Sequence, residues 1–176
     1  MPLPLIRTSR VVLRPWQRED VDILHALWAL PDVRRFLWDD VVITRDIAAK
    51  AIESHLDTTG RLNVGFWAIE MSEEPLAGFC GFRPIDEGSE IELLYGLRRG
   101  HWGKGVATEA CAAALEYFWR ATRYERVYAR TDVGNDRSVQ VMERLGMAHE
   151  MTTDSLITYV QLRPGCYGSD VVTNTA

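Results

Sequence analysis

The chain has 176 residues, 47% of them hydrophobic and 26% charged, a composition that suits one globular domain with a sizeable core. Lys plus Arg number 20 and Asp plus Glu 25, a formal net charge of −5, which argues against a general nucleic-acid or anionic-membrane binder. No apolar run approaches the ~20 residues of a membrane span, and the opening MPLPLIRTSRVV lacks the long apolar centre of a signal peptide. Cys80, Cys111 and Cys166 are odd in number and lack CxxC or His-partnered spacing, which predicts reduced thiols in a cytoplasmic protein without a metal site.

In chain order, residues 10–16 read as a first strand, with Val11 and Leu13 alternating. Apolar residues at 21, 24, 27 and 28 predict a helix over 20–30 that Pro31 ends. Thr44 is an apt N-cap for a second helix, stopping near Gly60, with Ile47, Ala48, Ala51, Ile52 and His55 on one face. Three strands are expected at 62–70, 76–84 and 90–97, the first two joined by a hairpin-type connection at 71–75. The glycine-rich loop 98–105 runs into a long helix bearing Ala107, Ala110, Cys111, Ala114, Leu115 and Phe118 on one side, small residues that imply close approach to a sheet. A strand at 125–131, a helix at 135–145 closed by Gly146, and strands at 147–153 and 157–162 complete the pattern. The order β-α-α-β-β-β-α-β-α-β-β predicts one mixed α/β domain over 1–176, with 165–176 a loose tail.

The chemistry concentrates where strand 90–97 meets the following loop and helix. Glycines just before a helix N-terminus leave backbone amides aimed at an anion, and the helix dipole adds to that field. Arg98, Arg99, His101 and Lys104 flank the turn, so a phosphate-bearing ligand is expected. The loop is not a Walker loop, because Gly103-Lys104 is followed by Gly105 rather than Ser or Thr. Nor is it the dinucleotide fingerprint, since the glycines fall as GxxGxG at 100, 103 and 105 after three meandering strands. The alternative is that the turn serves only as a tight connection.

The run Trp102-Gly103-Lys104-Gly105-Val106-Ala107 resembles the (Gln/Arg)-x-x-Gly-x-(Gly/Ala) pyrophosphate loop of the GNAT acetyltransferases. Asn135-Asp136-Arg137-Ser138 and the segment from Met142 to Met147 resemble the Asn-x-x-Ser…Glu-x-x-Gly-Phe stretch of the ribosomal-protein N-acetyltransferase (RimJ/RimL-like) branch. The opening Thr8-Ser9-Arg10-Val11-Val12-Leu13-Arg14 is similar to that branch's start. The resemblance runs from about residue 8 to about 163. It departs at Trp102, where many relatives carry Gln or Arg, and at Met142, where several carry a tyrosine general acid.

That resemblance implies a GNAT fold, a central and mostly antiparallel mixed sheet flanked by helices, and an acetyl-CoA-dependent N-acetyltransferase. The acetyl group would pass to a primary amine, a protein N-terminus or a small molecule, by direct attack in a ternary complex. Cofactor contacts are expected from Tyr95, Gly96 and Leu97, from 102–108 (Trp102, Gly103, Lys104, Gly105, Val106, Ala107 and Thr108), and from Asn135. Such chemistry needs a neutral amine, a polarised carbonyl and a proton for the leaving thiolate. Glu90 and Glu92 share a strand face, and Glu92 is the first candidate base, through water; two ordinary glutamates on a solvated face are the alternative. A backbone amide near Leu94–Leu97 would meet the carbonyl, and Ser138 is the hydroxyl available to the thiolate, unless it is simply polar at a helix start. Phe36, Trp38, Asp39 and Asp40 would suit a cationic acceptor, or else the aromatics are core and the aspartates a turn. His25, His55 and His149 read as structural. Neither nucleic acid nor membrane is expected as a partner, and a homodimer is compatible with the sequence. The competing functional class is a GNAT-like module that senses acyl-CoA without turning it over.

Overall fold

A computed structural model describes residues 2–165. Cys166 and the expected loose tail, apart from its first residue Gly165, lie outside the described residues. The elements are β1 (Ile6–Arg7), β2 (Val12–Pro15), α1 (Val21–Trp28), α2 (Pro31–Arg34), α3 (Arg45–Leu62), β3 (Phe66–Met71), β4 (Glu74–Ile85), β5 (Glu90–Leu97), α4 (Val106–Ala121), β6 (Arg126–Asp132), α5 (Asp136–Arg144), β7 (Ala148–Thr152) and β8 (Leu156–Leu162). The eight strands form one sheet in the order β1-β2-β3-β4-β5-β6-β8-β7. Every neighbouring pair is antiparallel except β5 with β6.

Helices cover both faces of the sheet, and β3 shows why its sequence is continuously apolar. Trp67 and Ile69 point into a core shared with α4 and α5, whereas Phe66 and Ala68 point into a second core shared with α1 and α3. On α4, Ala110, Cys111 and Ala114 are fully buried, and their small side chains let the helix axis approach the strands, as the sequence predicts. The second core is aromatic, with Trp16 stacked on Phe66 and edge-on to Trp28.

Two boundaries depart from expectation for local reasons. Pro31 does not end a helix; it is the first residue of α2, the position where a missing N–H costs nothing. α3 passes through Gly60 and stops at Leu62, because Asn63 takes the left-handed conformation (φ 55°) that terminates it. The expected strand from 62 therefore starts at Phe66. Thr44 caps α3 by accepting from the Ile47 amide, and Asn135 caps α5 by accepting from the Ser138 amide.

Candidate active site

β4 and β5 pair continuously, Gly78 with Leu97 through Ile85 with Glu90. The parallel neighbours β5 and β6 share one registered pair, Glu92 with Tyr128. Beyond it the strands part, and a cleft of about 670 Å³ opens along residues 93–97. The glycine loop, the start of α4, the start of α5 and the α2 segment complete its wall.

The loop is built for an anion. Gly103 (φ 71°) and Gly105 (φ 76°) adopt left-handed backbone that favours glycine. No side chain caps α4, whose N-cap is Gly105 itself, so the first amides of the helix are left for a ligand. A Cβ on Gly103 would meet nothing within 4 Å, which leaves room in front of the loop. The Thr108 hydroxyl, also on the cleft wall, is buried without a hydrogen-bond partner among the described residues. These features fit the pyrophosphate of a nucleotide thioester.

The opening segment holds this loop in place. Arg10 donates to the Lys104 carbonyl (2.7 Å) and pairs with Glu109 on α4 (2.6 Å), while Thr8, Ser9 and the Arg10 amide also donate to Glu109. Burial disfavours the Glu109 carboxylate, but these donors outweigh it and hold its pKa down at about 2. The Thr8-Ser9-Arg10 start is thus a brace for the loop, a role its sequence position did not disclose.

On the cleft wall between β5 and α5, the Tyr95 hydroxyl is 2.8 Å from Ser138 Oγ and donates to the Ser138 carbonyl at 3.0 Å. Burial pushes the Tyr95 phenol well above its ordinary pKa, so it remains protonated. Asn135 donates through Nδ2 to Thr131 Oγ1 (2.8 Å), which fixes the cap that carries Ser138.

Of the expected site residues, Tyr95, Gly96, Leu97, Trp102, Gly103, Gly105, Val106, Ala107, Thr108, Asn135, Ser138 and Phe36 line the one cleft. Others do not join them. Glu92 is nearly inaccessible (side chain 3% exposed), and its oxygens accept from Arg83 Nε (2.6 Å) and Arg130 Nε (2.7 Å). Arg130, not Glu92, lines the cleft, so Glu92 does not meet an incoming amine directly. Lys104 contributes its carbonyl to Arg10 and its side chain is not part of the wall. Trp38 packs edge-on against Trp28, 5.7 Å between ring centroids, in the second core. Asp39 is an exposed turn residue at φ 50°, and Asp40 pairs with Arg34 at 2.8 Å. The expected aromatic and acidic acceptor box is therefore not assembled. In its place stand Asp32, Arg35, Phe36 and Leu37, with the Arg35 guanidinium 5.0 Å above the Phe36 ring.

The cleft is cationic in an acidic chain. Arg35, Arg99, Arg130, Arg137 and Arg144 line it against Asp32 and Asp136, an excess that suits a ligand bearing several phosphates. Residues 10–148 match the family model described as an acetyltransferase (GNAT) domain. The chain belongs to the GNAT acetyltransferase family. It is 31% identical over 148 residues to the uncharacterized N-acetyltransferase p20 of Bacillus licheniformis, covering 81% of this chain and 82% of that protein. It is 21% identical over 142 residues to spermidine N(1)-acetyltransferase of Escherichia coli, covering 80% of this chain and 74% of that enzyme. Among solved structures, the RimL ribosomal alpha-N-protein acetyltransferase in complex with coenzyme A shares the fold at a TM-score of 0.76 and 17% identity, covering 92% of this chain and 98% of that one. This GNAT protein is accordingly an acetyltransferase, of a family that uses acetyl-CoA as its acetyl donor.

Among the described residues no helix of this acetyltransferase is long and apolar enough to cross a membrane. The sequence reading missed Arg130, Arg137, and the pair Arg10 and Glu109 as parts of the site. Arg137 sits inside the Asn135–Ser138 motif and was visible as a cation. Its contact with Trp102, 35 residues away, depends on the tertiary fold.

Proposed function

We propose that the enzyme acetylates a primary amine, on a protein N-terminus or a small molecule, by direct attack within a ternary complex. The observation that carries this reading is one cleft that combines an uncapped glycine loop, a parted strand edge and a hydroxyl pair at Ser138 and Tyr95. When bound, acetyl-CoA supplies an acetyl group activated as a thioester. The amides of 103–108 hold its phosphates, and the β5 edge at residues 93–97 offers fixed backbone donors to the carbonyl oxygen. Ser138 Oγ gives a proton to the departing thiolate and recovers one from solvent water, while the Tyr95 phenol, which stays protonated, holds that hydroxyl in place. With Glu92 engaged by two guanidiniums, the attacking amine loses its proton to water. The rate then rises with pH through the amine's own pKa.

The engagement of Glu92 by two guanidiniums also favours a second reading, in which the protein binds acyl-CoA and does not turn it over. The two separate in one experiment, release of free thiol from acetyl-CoA in the presence of peptides with free N-termini, polyamines or aminoglycosides. Acetyl-dependent thiol release with at least one amine supports transfer. Tight acetyl-CoA binding with no release across the panel supports the sensing module. Binding is read from the melting temperature, which rises by roughly 5–10 °C at ~100 times the dissociation constant.

A further inference from the structure

We propose that Arg137, seated on the face of Trp102, anchors a phosphate group of the cofactor, an assignment that rests on the acetyl-CoA reading of the cleft. The guanidinium carbon lies 4.9 Å from the Trp102 ring centroid. The ring cannot swing, because its Nε1 donates to the Leu97 carbonyl at 2.9 Å. That bond uses the one N–H an indole has, so Trp102 has no donor left for a phosphate oxygen. The residue stands immediately before Gly103, so a group stacked on it lies at the rim of the amide cradle. Trp102 therefore serves as a platform, and the cation comes from the other wall.

No ion pair among the described residues accounts for Arg137. It occupies the first turn of α5, where the helix dipole disfavours a cation. Among the described residues no carboxylate comes within ion-pair distance of it, whereas Arg130 pairs with Glu92, Arg99 with Asp32 and Arg10 with Glu109. A guanidinium stacked on an aromatic face loses rotamer freedom while its edge N–H groups stay free to donate in the plane. An exposed, pre-oriented and uncompensated cation beside an anion cradle fits a phosphate oxygen. The pyrophosphate and the ribose phosphate of coenzyme A share that chemistry.

Calorimetric titration with coenzyme A and with 3′-dephospho-coenzyme A tests the assignment, with melting curves to verify folding. Arg137→Ala should weaken coenzyme A by about 10- to 100-fold, as expected for loss of a charge-assisted bond, and should flatten the salt dependence of affinity. Arg137→Lys should recover part of this, since it restores charge without the planar fork. Trp102→Phe should keep most of the affinity, whereas Trp102→Leu should lose it. Adding Trp102→Leu to Arg137→Ala should cost little more, because the pair acts as a unit. Equal losses for both ligands place Arg137 on the pyrophosphate, and a loss confined to coenzyme A places it on the ribose phosphate. Wild-type affinity and salt slope in Arg137→Ala, with binding abolished by Gly105→Val, would overturn the assignment and leave the cofactor reading intact. Failure of the unmodified protein to bind either ligand would instead remove the cofactor reading itself.

Discussion

Ser138 and Tyr95 come from different elements, and their hydroxyls meet at 2.8 Å behind the strand edge. A serine alone is a weak acid at neutral pH, so the proposed proton donation requires Ser138 to be held toward the leaving sulfur. Ser138→Ala should therefore lower kcat while KM for acetyl-CoA stays within a few-fold, the pattern of an interaction made in the transition state. General-acid contributions run from ~10²- to 10⁴-fold, and a thiolate leaves readily without help, so the low end is expected. Tyr95→Phe should cost less, and the double variant should be no slower than Ser138→Ala. Steady-state kinetics on the acceptor found by thiol release decide it. An unchanged kcat in Ser138→Ala would reduce the serine to a helix-start residue.

At the scale of elements, the loop between β5 and α4 is where conformation and binding are one property. Gly105 sits at φ 76°, and a Cβ there would come 3.4 Å from an Arg10 guanidinium nitrogen. Valine cannot hold that backbone without strain of roughly 1–3 kcal/mol. Gly105→Val should thus weaken coenzyme A at least ~10²-fold, as several amide–phosphate bonds go together. The melting temperature should fall by less than about 10 °C. Wild-type affinity in a folded Gly105→Val protein would mean that the phosphates lie elsewhere. Much of this element was legible beforehand, because the spacing of Gly103 and Gly105 and the apolar face from Ala107 to Phe118 are local signals. β5 was also legible, bounded as it is by polar residues on one side and Arg98-Arg99-Gly100 on the other. What stayed hidden was side-chain partnership across the sheet. The sequence shows Glu92 as one of two alternating carboxylates, but only the placement of β5 between β4 and β6 brings Arg83 and Arg130 to it. Trp38 is equally ambiguous, since an aromatic after a short helix can face a cleft or a core, and Trp28 decides the matter.

For the whole molecule, two partly buried titrating groups shape the acid side of the stability curve. His55 packs against Trp16 and Phe66, ring centroids 5.6 and 4.4 Å away. Burial, helped by the charge of Arg83, lowers its pKa from 6.5 to about 4. The unfolded chain therefore takes up this proton first, and stability is lost as pH falls from about 6.5 to about 4. Glu109, depressed from 4.5 to about 2, adds a second loss as pH falls through that lower window. Denaturant melts across pH should show both stages, and His55→Phe should flatten the upper one. An unaltered upper stage in that variant would place its cause elsewhere.

The single backbone bridge between β5 and β6 has a mechanical consequence. On one face α4 spans the two half-sheets, and on the other the Glu92 carboxylate ties Arg83 to Arg130 across the parting. Glu92 is thus a rivet at the apex of a wedge, and the mouth of that wedge is the cleft along residues 93–97. Rocking of β6, β8 and β7 against β1–β5 needs few ladder bonds to break. Warming should loosen the jaw before it melts the domain, so turnover should fail at temperatures where the far-ultraviolet dichroism is still that of the folded protein.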